Sequence, residues 1–153
     1  MSWYVLQTVM GAVGSLGFAI LFGVRDRKLI PITAGGALAW SVYLVSVHKI
    51  GTDMFMGLFA AALATTLLAE LLARLVRTPV VLLLVPMLIP LIPGGDLYYM
   101  MDYFVRKSLH EFGAASKKVM TEAGAIAMGI IIGAYIATFA ATLLKKVSVH
   151  HVR

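Results

Sequence analysis

Three closely spaced prolines in an apolar stretch are the feature of this chain best suited to binding a small solute. Pro86, Pro90 and Pro93 fall within about 60° of one another on a helix that turns by about 100° per residue. Proline has no N–H, so a helix through them leaves the carbonyl groups of Leu82, Pro86 and Ile89 without their usual donors. Such carbonyls can accept hydrogen bonds from the ammonium group of a small solute.

A Pro-Gly-Gly sequence follows these prolines and predicts the end of the helix. Pro93, Gly94 and Gly95 favour a turn, and Asp96 is placed to cap a second helix that begins at Leu97. Asp96 has three possible roles, as a helix cap, as a proton-coupling carboxylate or as a substrate ligand. Two half-helices that meet at such a break form the solute site of many transporters.

The start of the second helix predicts the other half of a solute site. Its N–H groups, around Leu97–Tyr99, favour a carboxylate, and Tyr98 and Tyr99 can hydrogen-bond a hydroxyl group or line a pocket. A zwitterionic amino acid fits both halves, whereas a dicarboxylate needs further donors. The alternative is a proline kink that neighbouring helices seal, with the tyrosines at the membrane interface.

A second candidate lies in the apolar run before the prolines. Glu70 and Arg74 are four residues apart, close enough on a helix to form an ion pair. Charged residues at membrane depth are often functional, so Glu70 is a possible coupling residue. The alternative is an ordinary ion pair at the cytoplasmic edge of the membrane.

Composition places the chain in a lipid bilayer. Of its 153 residues, 61% are hydrophobic and 13% charged, with a mean hydropathy of +0.93, whereas about a quarter of the residues in soluble domains are charged. The net charge of +6 comes from basic residues at the ends of apolar runs, which is typical of membrane flanks and not of a nucleic-acid surface. No catalytic, cofactor or metal-binding motif is recognisable, so we predict neither an enzyme nor a bound cofactor.

The apolar runs predict an all-α, polytopic membrane protein with about five transmembrane helices in a single domain, 1–153. The uncharged stretch 80–92 is too short to cross alone, so it either joins the following residues in one broken span or re-enters and leaves on the same side. A basic amphipathic pattern over Met100–Lys118 predicts a helix that lies on the lipid surface or extends the fourth span. The predicted spans are about 3–23, 29–48, 52–76, 79–104 (broken at 93–96) and 122–144.

Small residues recur every four positions in three of these runs and predict close helix packing. The number of such stripes suggests more packing surface than five helices need, and hence a partner. The stripes are Gly11, Ser15, Ala19 and Gly23; Gly57, Ala61, Thr65, Ala69 and Ala73; and Ala125, Gly129, Gly133, Ala137 and Ala141.

The motif Pro90-Leu91-Ile92-Pro93-Gly94-Gly95, with Arg77-Thr78-Pro79 before it and Leu97-Tyr98-Tyr99-Met100 after it, resembles the C-terminal membrane half of the threonine/serine exporter family. The resemblance extends over nearly the whole chain. It implies the small subunit of a secondary exporter in the cytoplasmic (inner) membrane of a prokaryote, with a larger membrane subunit carrying the complementary half. The implied cargo is threonine, serine or a short dicarboxylate.

Two other functions stay open at the level of sequence. One is a membrane scaffold or assembly subunit in which the Pro-Gly-Gly break is a packing device. The other is a homo-oligomeric channel.

Overall fold

The computed structural model of the protein describes residues 2–150, and its side chains at 3–25 and 27–143. Within these residues every regular element is helical, which confirms the predicted all-α class. Short helical turns at Asp26–Lys28, Ser46–Ile50 and Ile89–Leu91 adjoin the main helices. The main helices are α1 (Ser2–Leu21), α2 (Leu29–Val45), α3 (Met54–Val76), α4 (Val80–Leu88), α5 (Gly94–Val105) and α6 (Leu109–His150).

Four helical segments in the described residues are long and apolar enough to cross a membrane, and there are five if α4 and α5 form one bent span. One of the four is α2 continued through its π-helical turn to Ile50. With 42 residues, α6 is about 63 Å long at a rise of about 1.5 Å per residue. Since the hydrocarbon layer is only about 30 Å thick, part of α6 must lie outside it.

The small-residue stripe of α1 packs against α2. A Cβ atom added to Gly11 would lie 3.1 Å from Cβ of Trp40, and one added to Gly36 would collide with Ser15. Ser15 and Ala19 are fully buried. The two helices are therefore in contact through positions where no larger side chain fits.

The other two stripes pack α6 against α3. The α3 stripe is buried along its whole length, and an added Cβ at Gly129 of α6 would lie 2.7 Å from the carbonyl oxygen of Phe59. The predicted close packing is thus found, but it occurs inside this chain. The expectation that the stripes indicate surplus surface for a partner is wrong, because the chain's own helices bury most of the stripe residues.

Helices α3 and α6 run in the same direction. Gly129 of α6 contacts Phe59 of α3, Gly133 contacts Thr66, and the Arg74 guanidinium donates to the Ala137 carbonyl at 3.1 Å. Residue numbers therefore rise together along both helices. Early residues of α6 lie near the start of α3 and late residues near its end.

Helix α4 returns along α3 in the opposite direction. Leu83, near the start of α4, lies in a buried cluster with Ala69 and Ala73 from the end of α3. Leu91, just after α4, lies in a second buried cluster with Leu58 from the start of α3. The chain interruption that follows Leu91 is therefore close to the end of the bundle at which α3 begins.

Helices α5 and α6 form an antiparallel hairpin. The turn is closed by a hydrogen bond from the Ser108 N–H to the Tyr103 carbonyl at 3.0 Å, and Lys107 adopts a left-handed backbone with φ of 59°. Across the hairpin, the rings of Phe104 and Phe112 lie 5.4 Å apart. The predicted single amphipathic helix over Met100–Lys118 is wrong, because this turn divides the segment between the two helices.

Candidate functional site

The interruption predicted at the Pro-Gly-Gly sequence is present. The helical segments Val80–Leu91 and Gly94–Val105 meet at an angle of 64°. Pro93 stands between them with ψ of 59°, outside the helical range, and the Gly94 N–H donates to the Ile92 carbonyl at 2.7 Å. The chain changes direction over two residues, as a broken membrane span or a re-entrant segment does.

Two of the three carbonyl groups that were predicted to lack hydrogen-bond donors do have them. The Ile89 N–H donates to the Pro86 carbonyl, and the Ile92 N–H donates to the Ile89 carbonyl at 3.1 Å. The expectation that these two carbonyls lack donors is wrong, because the backbone tightens into a 3₁₀ turn and bonds three residues ahead. Leu82, the third predicted position, lies on the exposed side of α4.

The second helix begins three residues earlier than predicted. Helix α5 starts at Gly94, and the Leu97 N–H already donates to the Pro93 carbonyl at 3.0 Å. Asp96 therefore stands in the first turn and does not cap the helix, so that prediction is wrong. The amides without a helical acceptor are those of Gly95 and Asp96, not those of Leu97–Tyr99.

The break is open on one side. Gly94 and Gly95 are exposed, and a Cβ atom added to either would meet no other atom within 4 Å. Tyr98 and Tyr99 follow on α5 with 69% and 57% of their surfaces exposed, and their rings form an edge-to-face pair at 5.6 Å.

The ten predicted pathway residues do not meet in one pocket of this chain. Pro86 is buried in the bundle, whereas Pro90 lines a cavity of about 310 Å³ beside Gln7 and Trp40, which share a hydrogen bond. Tyr98 and Tyr99 face outward. The described residues of this chain therefore do not enclose the break.

A charged cluster lies next to the break and joins α5 to α6. The Lys118 Nζ is 2.8 Å from Oδ1 of Asp96 and 3.9 Å from Oε1 of Glu122. The Glu122 side chain is only 3% exposed, and neither of its carboxylate oxygens has a hydrogen-bond donor in the described part of the chain. Asp96 is thus held by a lysine that sequence reasoning did not connect to it.

Sequence reasoning also missed Glu122. It stands at the edge of the last apolar run, where a charge is usually read as a membrane flank. Two features of the sequence pointed to Glu122. It stands four residues after Lys118, a spacing that predicts contact on a helix. It is also followed by the small residues Ala123, Gly124 and Ala125.

A cavity of about 330 Å³ opens beside this cluster. Met54 and Phe55 at the start of α3 form its apolar wall. The polar wall comes from α6 and consists of Lys117, Lys118, Thr121 and Glu122. The cavity is thus lined by one carboxylate, two ammonium groups and one hydroxyl group, opposite an apolar surface.

Glu70, the other predicted coupling residue, is part of an ion pair. Its Oε2 lies 3.3 Å from the Arg74 guanidinium, which also donates to the Ala137 carbonyl. The predicted pairing of Glu70 with Arg74 is therefore confirmed. Ala137 is about 22 Å beyond Glu122 along α6, so this ion pair is remote from the break.

Apolar helices packed through small residues define a polytopic helical membrane protein, in which the bent pair α4 and α5 is a broken span or a re-entrant segment. The family model described as Threonine/Serine exporter, ThrE matches residues 7–136, and the chain belongs to that family. The resemblance inferred from the motif at 90–95 is confirmed by this match. A search of curated proteins and a search of solved structures each gave no match.

Proposed function

We propose that this chain is the small subunit of a secondary exporter in the cytoplasmic membrane of a prokaryote. The exporter moves threonine-like or serine-like amino acids, or short dicarboxylates, out of the cell. Membership of the threonine/serine exporter family supports the export of a small polar solute. The broken span supports a path for that solute between helices.

The observation that carries this proposal is the open side of the break. The first two residues of α5, Gly94 and Gly95, carry no side chains, and the amides of Gly95 and Asp96 lack helical acceptors. Such backbone groups are not tolerated against lipid, and they occur where protein or a watery cavity covers them. A solute carboxylate or hydroxyl group can accept their hydrogen bonds. The solute path then runs past Pro90, Pro93 and the start of α5.

The opposite wall of this path comes from another chain. Tyr98 and Tyr99 extend from α5 with most of their surfaces uncovered. A larger membrane subunit that carries the complementary half of the exporter is the proposed partner. It would meet the tyrosines and enclose the break, and a second copy of this chain is the alternative occupant.

Asp96 is the preferred coupling residue of the two carboxylates considered. Its carboxylate lies in the first turn of α5, directly at the break, and reaches Lys118 of α6. Glu70 is held by Arg74 at a distance from the proposed path. A change in protonation at Asp96 would alter the contact between α5 and α6, whereas a change at Glu70 would not reach the break.

An efflux experiment tests the proposal. The chain is co-expressed with the membrane protein that co-purifies with it, and release of labelled threonine and succinate is followed from loaded vesicles. A Cβ atom added to Gly95 meets nothing within 4 Å, so we expect Gly95→Leu to fill the open side with normal assembly and a large loss of efflux. Gly17→Leu on α1 is the control, since an added Cβ there also meets nothing within 4 Å.

Unchanged efflux in Gly95→Leu would contradict the proposal and favour a scaffold subunit. Ionic conductance of the purified chain alone would instead favour a homo-oligomeric channel. Equal losses in Gly95→Leu and Gly17→Leu would show that added bulk, and not its position at the break, prevents transport.

A further inference from the structure

A groove of about 520 Å³ lies between the start of α1 and the end of α2, and we call it the α1–α2 groove. No described residue of another helix lines it, so its open side faces away from the rest of the bundle. Thr8 and Val9 line this groove, whereas Gln7 and Gly11 line the cavity beside Pro90. The two therefore lie on different faces of α1, and the groove is separate from the proposed solute path.

The outer end of the groove lies at the membrane interface. Tyr4 is in the first turn of α1, and Lys49 is in the last turn of the apolar segment that ends at Ile50. The ring of His48 lies 5.5 Å from that of Tyr4 and 6.3 Å from that of Trp3. Because tryptophan and tyrosine collect at the level of the lipid headgroups, this aromatic cluster places Lys49 at that level.

The inner part of the groove is apolar. Val5, Val9 and Val45 line it with 44–58% of their surfaces exposed. The hydroxyl groups of Thr8 and Ser41 are hydrogen-bonded to each other, with 3.3 Å between the two oxygens. Val9 lies about 7 Å deeper along α1 than the first turn. The groove thus offers an apolar surface that extends from the headgroup level into the bilayer.

A helix of another protein is a poor match for this surface. Membrane helices pack through small residues, which allow their backbones to approach closely. The groove is instead lined by branched side chains, and the small-residue stripe of α1 is already in contact with α2. A flexible acyl chain can follow such an uneven apolar surface.

The charge at the outer end determines which headgroup fits. In the described part of the chain no acidic residue lines the groove, and none forms an ion pair with Lys49. The Lys49 ammonium, the Tyr4 hydroxyl group and the His48 ring can donate hydrogen bonds to a phosphate. The cationic group of a zwitterionic lipid would meet no acidic partner here. A headgroup with a net negative charge is therefore the better complement.

We propose that the α1–α2 groove binds one anionic phospholipid. An acyl chain lies along Val5, Val9 and Val45, and the phosphate lies at Lys49. This inference goes beyond the proposed export function and does not depend on it, because the groove is separate from the break.

Native mass spectrometry of the full chain tests the headgroup part of the site. The purified chain is titrated with phosphatidylglycerol, which is anionic, and with phosphatidylcholine of the same acyl chains, which is zwitterionic. We expect one phosphatidylglycerol per chain to bind more tightly than phosphatidylcholine. Lys49→Gln should weaken phosphatidylglycerol binding about fivefold. Lys107→Gln is the control, since Lys107 is an exposed lysine far from the groove in the turn between α5 and α6.

Val9→Trp tests the acyl-chain part independently of charge. The larger side chain fills the inner part of the groove, so binding of both lipids should fall severalfold. Val81→Trp is the matched control, because Val81 on α4 is 67% exposed and does not line the groove. If Val9→Trp does not fold, the titration of Lys49→Gln still decides. Equal binding of the two lipids by the wild type, or unchanged phosphatidylglycerol binding in Lys49→Gln, would overturn the proposal.

A crosslinking experiment separates a lipid from a protein occupant. Val5→Cys carries a photoreactive group into the groove, in the complex with the membrane protein that co-purifies with the chain. We expect crosslinks to phospholipid. Crosslinks to the partner protein at this position would overturn the proposal, because a protein surface would then fill the groove.

Discussion

The Nζ atom of Lys118 lies 2.8 Å from Oδ1 of Asp96 and joins the first turn of α5 to α6 across 22 positions of the chain. Both side chains are partly exposed, so this contact alone stabilises the fold by less than about 1 kcal/mol. Its larger effect is to hold a positive charge beside buried Glu122, one helical turn further along α6.

Removing that positive charge should destabilise the protein through Glu122. We expect Lys118→Gln to lower the free energy of unfolding by about 1 kcal/mol, because the buried carboxylate then loses its nearest cation. Lys117→Gln, at an exposed neighbouring position, is the control and should have little effect. The measurement is thermal unfolding in detergent, followed by the fluorescence of the two tryptophans.

The double variant separates this explanation from a simple loss of the Asp96 contact. When Glu122→Gln is combined with Lys118→Gln, no buried charge is left uncompensated, and much of the lost stability should return. If the double variant instead loses the sum of the unfolding free energies lost by the two single variants, Glu122 has no role in the effect of Lys118.

Gly129 should be the most sensitive small residue of α6. A Cβ atom there would lie 2.7 Å from the Phe59 carbonyl oxygen and 3.0 Å from the Leu63 backbone nitrogen, and backbone atoms cannot rotate away. Gly129→Ala must therefore push α6 from α3, and should lower the free energy of unfolding by about 1–3 kcal/mol.

Gly124→Ala on the same helix is the control for this substitution. A Cβ atom added there meets nothing within 4 Å, so alanine should improve helix propensity and leave stability unchanged or raise it by about 0.5–1 kcal/mol. Similar unfolding temperatures for the two alanine variants would show that α3 and α6 are not packed through Gly129.

The ion pair at the other end of α3 should matter little for transport. Glu70→Gln removes one exposed contact at i and i+4 spacing and should cost about 0.3–0.5 kcal/mol, with threonine efflux unchanged. Arg74→Gln should cost more, because it also removes the hydrogen bond to the Ala137 carbonyl that joins α3 to α6. Loss of efflux in Glu70→Gln alone would instead identify Glu70 as a coupling residue.

Much of the fold could be predicted because apolar spans and small-residue spacing are local properties of the sequence. The spacing of Gly129 and Gly133 identifies the face of α6 that approaches another helix, and the structure places α3 there. The turn after α5 could not be predicted in this way. It depends on Lys107 adopting a left-handed backbone, for which a lysine gives no sequence signal.

The candidate site was predicted only where the signal was local. Pro93, Gly94 and Gly95 specify a break by residue type, and the break is present. The 3₁₀ turn that satisfies the Ile89 carbonyl is a relaxation of the backbone that helical periodicity does not reveal. The contact between Asp96 and Lys118 depends on the hairpin between α5 and α6, so it required the tertiary structure.

Cysteine labelling tests most directly whether the open side of the break faces the solute path. The natural chain has no cysteine, so Gly95→Cys and its control Gly17→Cys each introduce a single thiol. With the partner subunit present, we predict that a water-soluble thiol reagent modifies Gly95→Cys and that threonine slows this reaction severalfold, whereas Gly17→Cys, on the lipid-facing side of α1, stays unmodified. Modification of Gly95→Cys at a rate that threonine does not change would contradict the account.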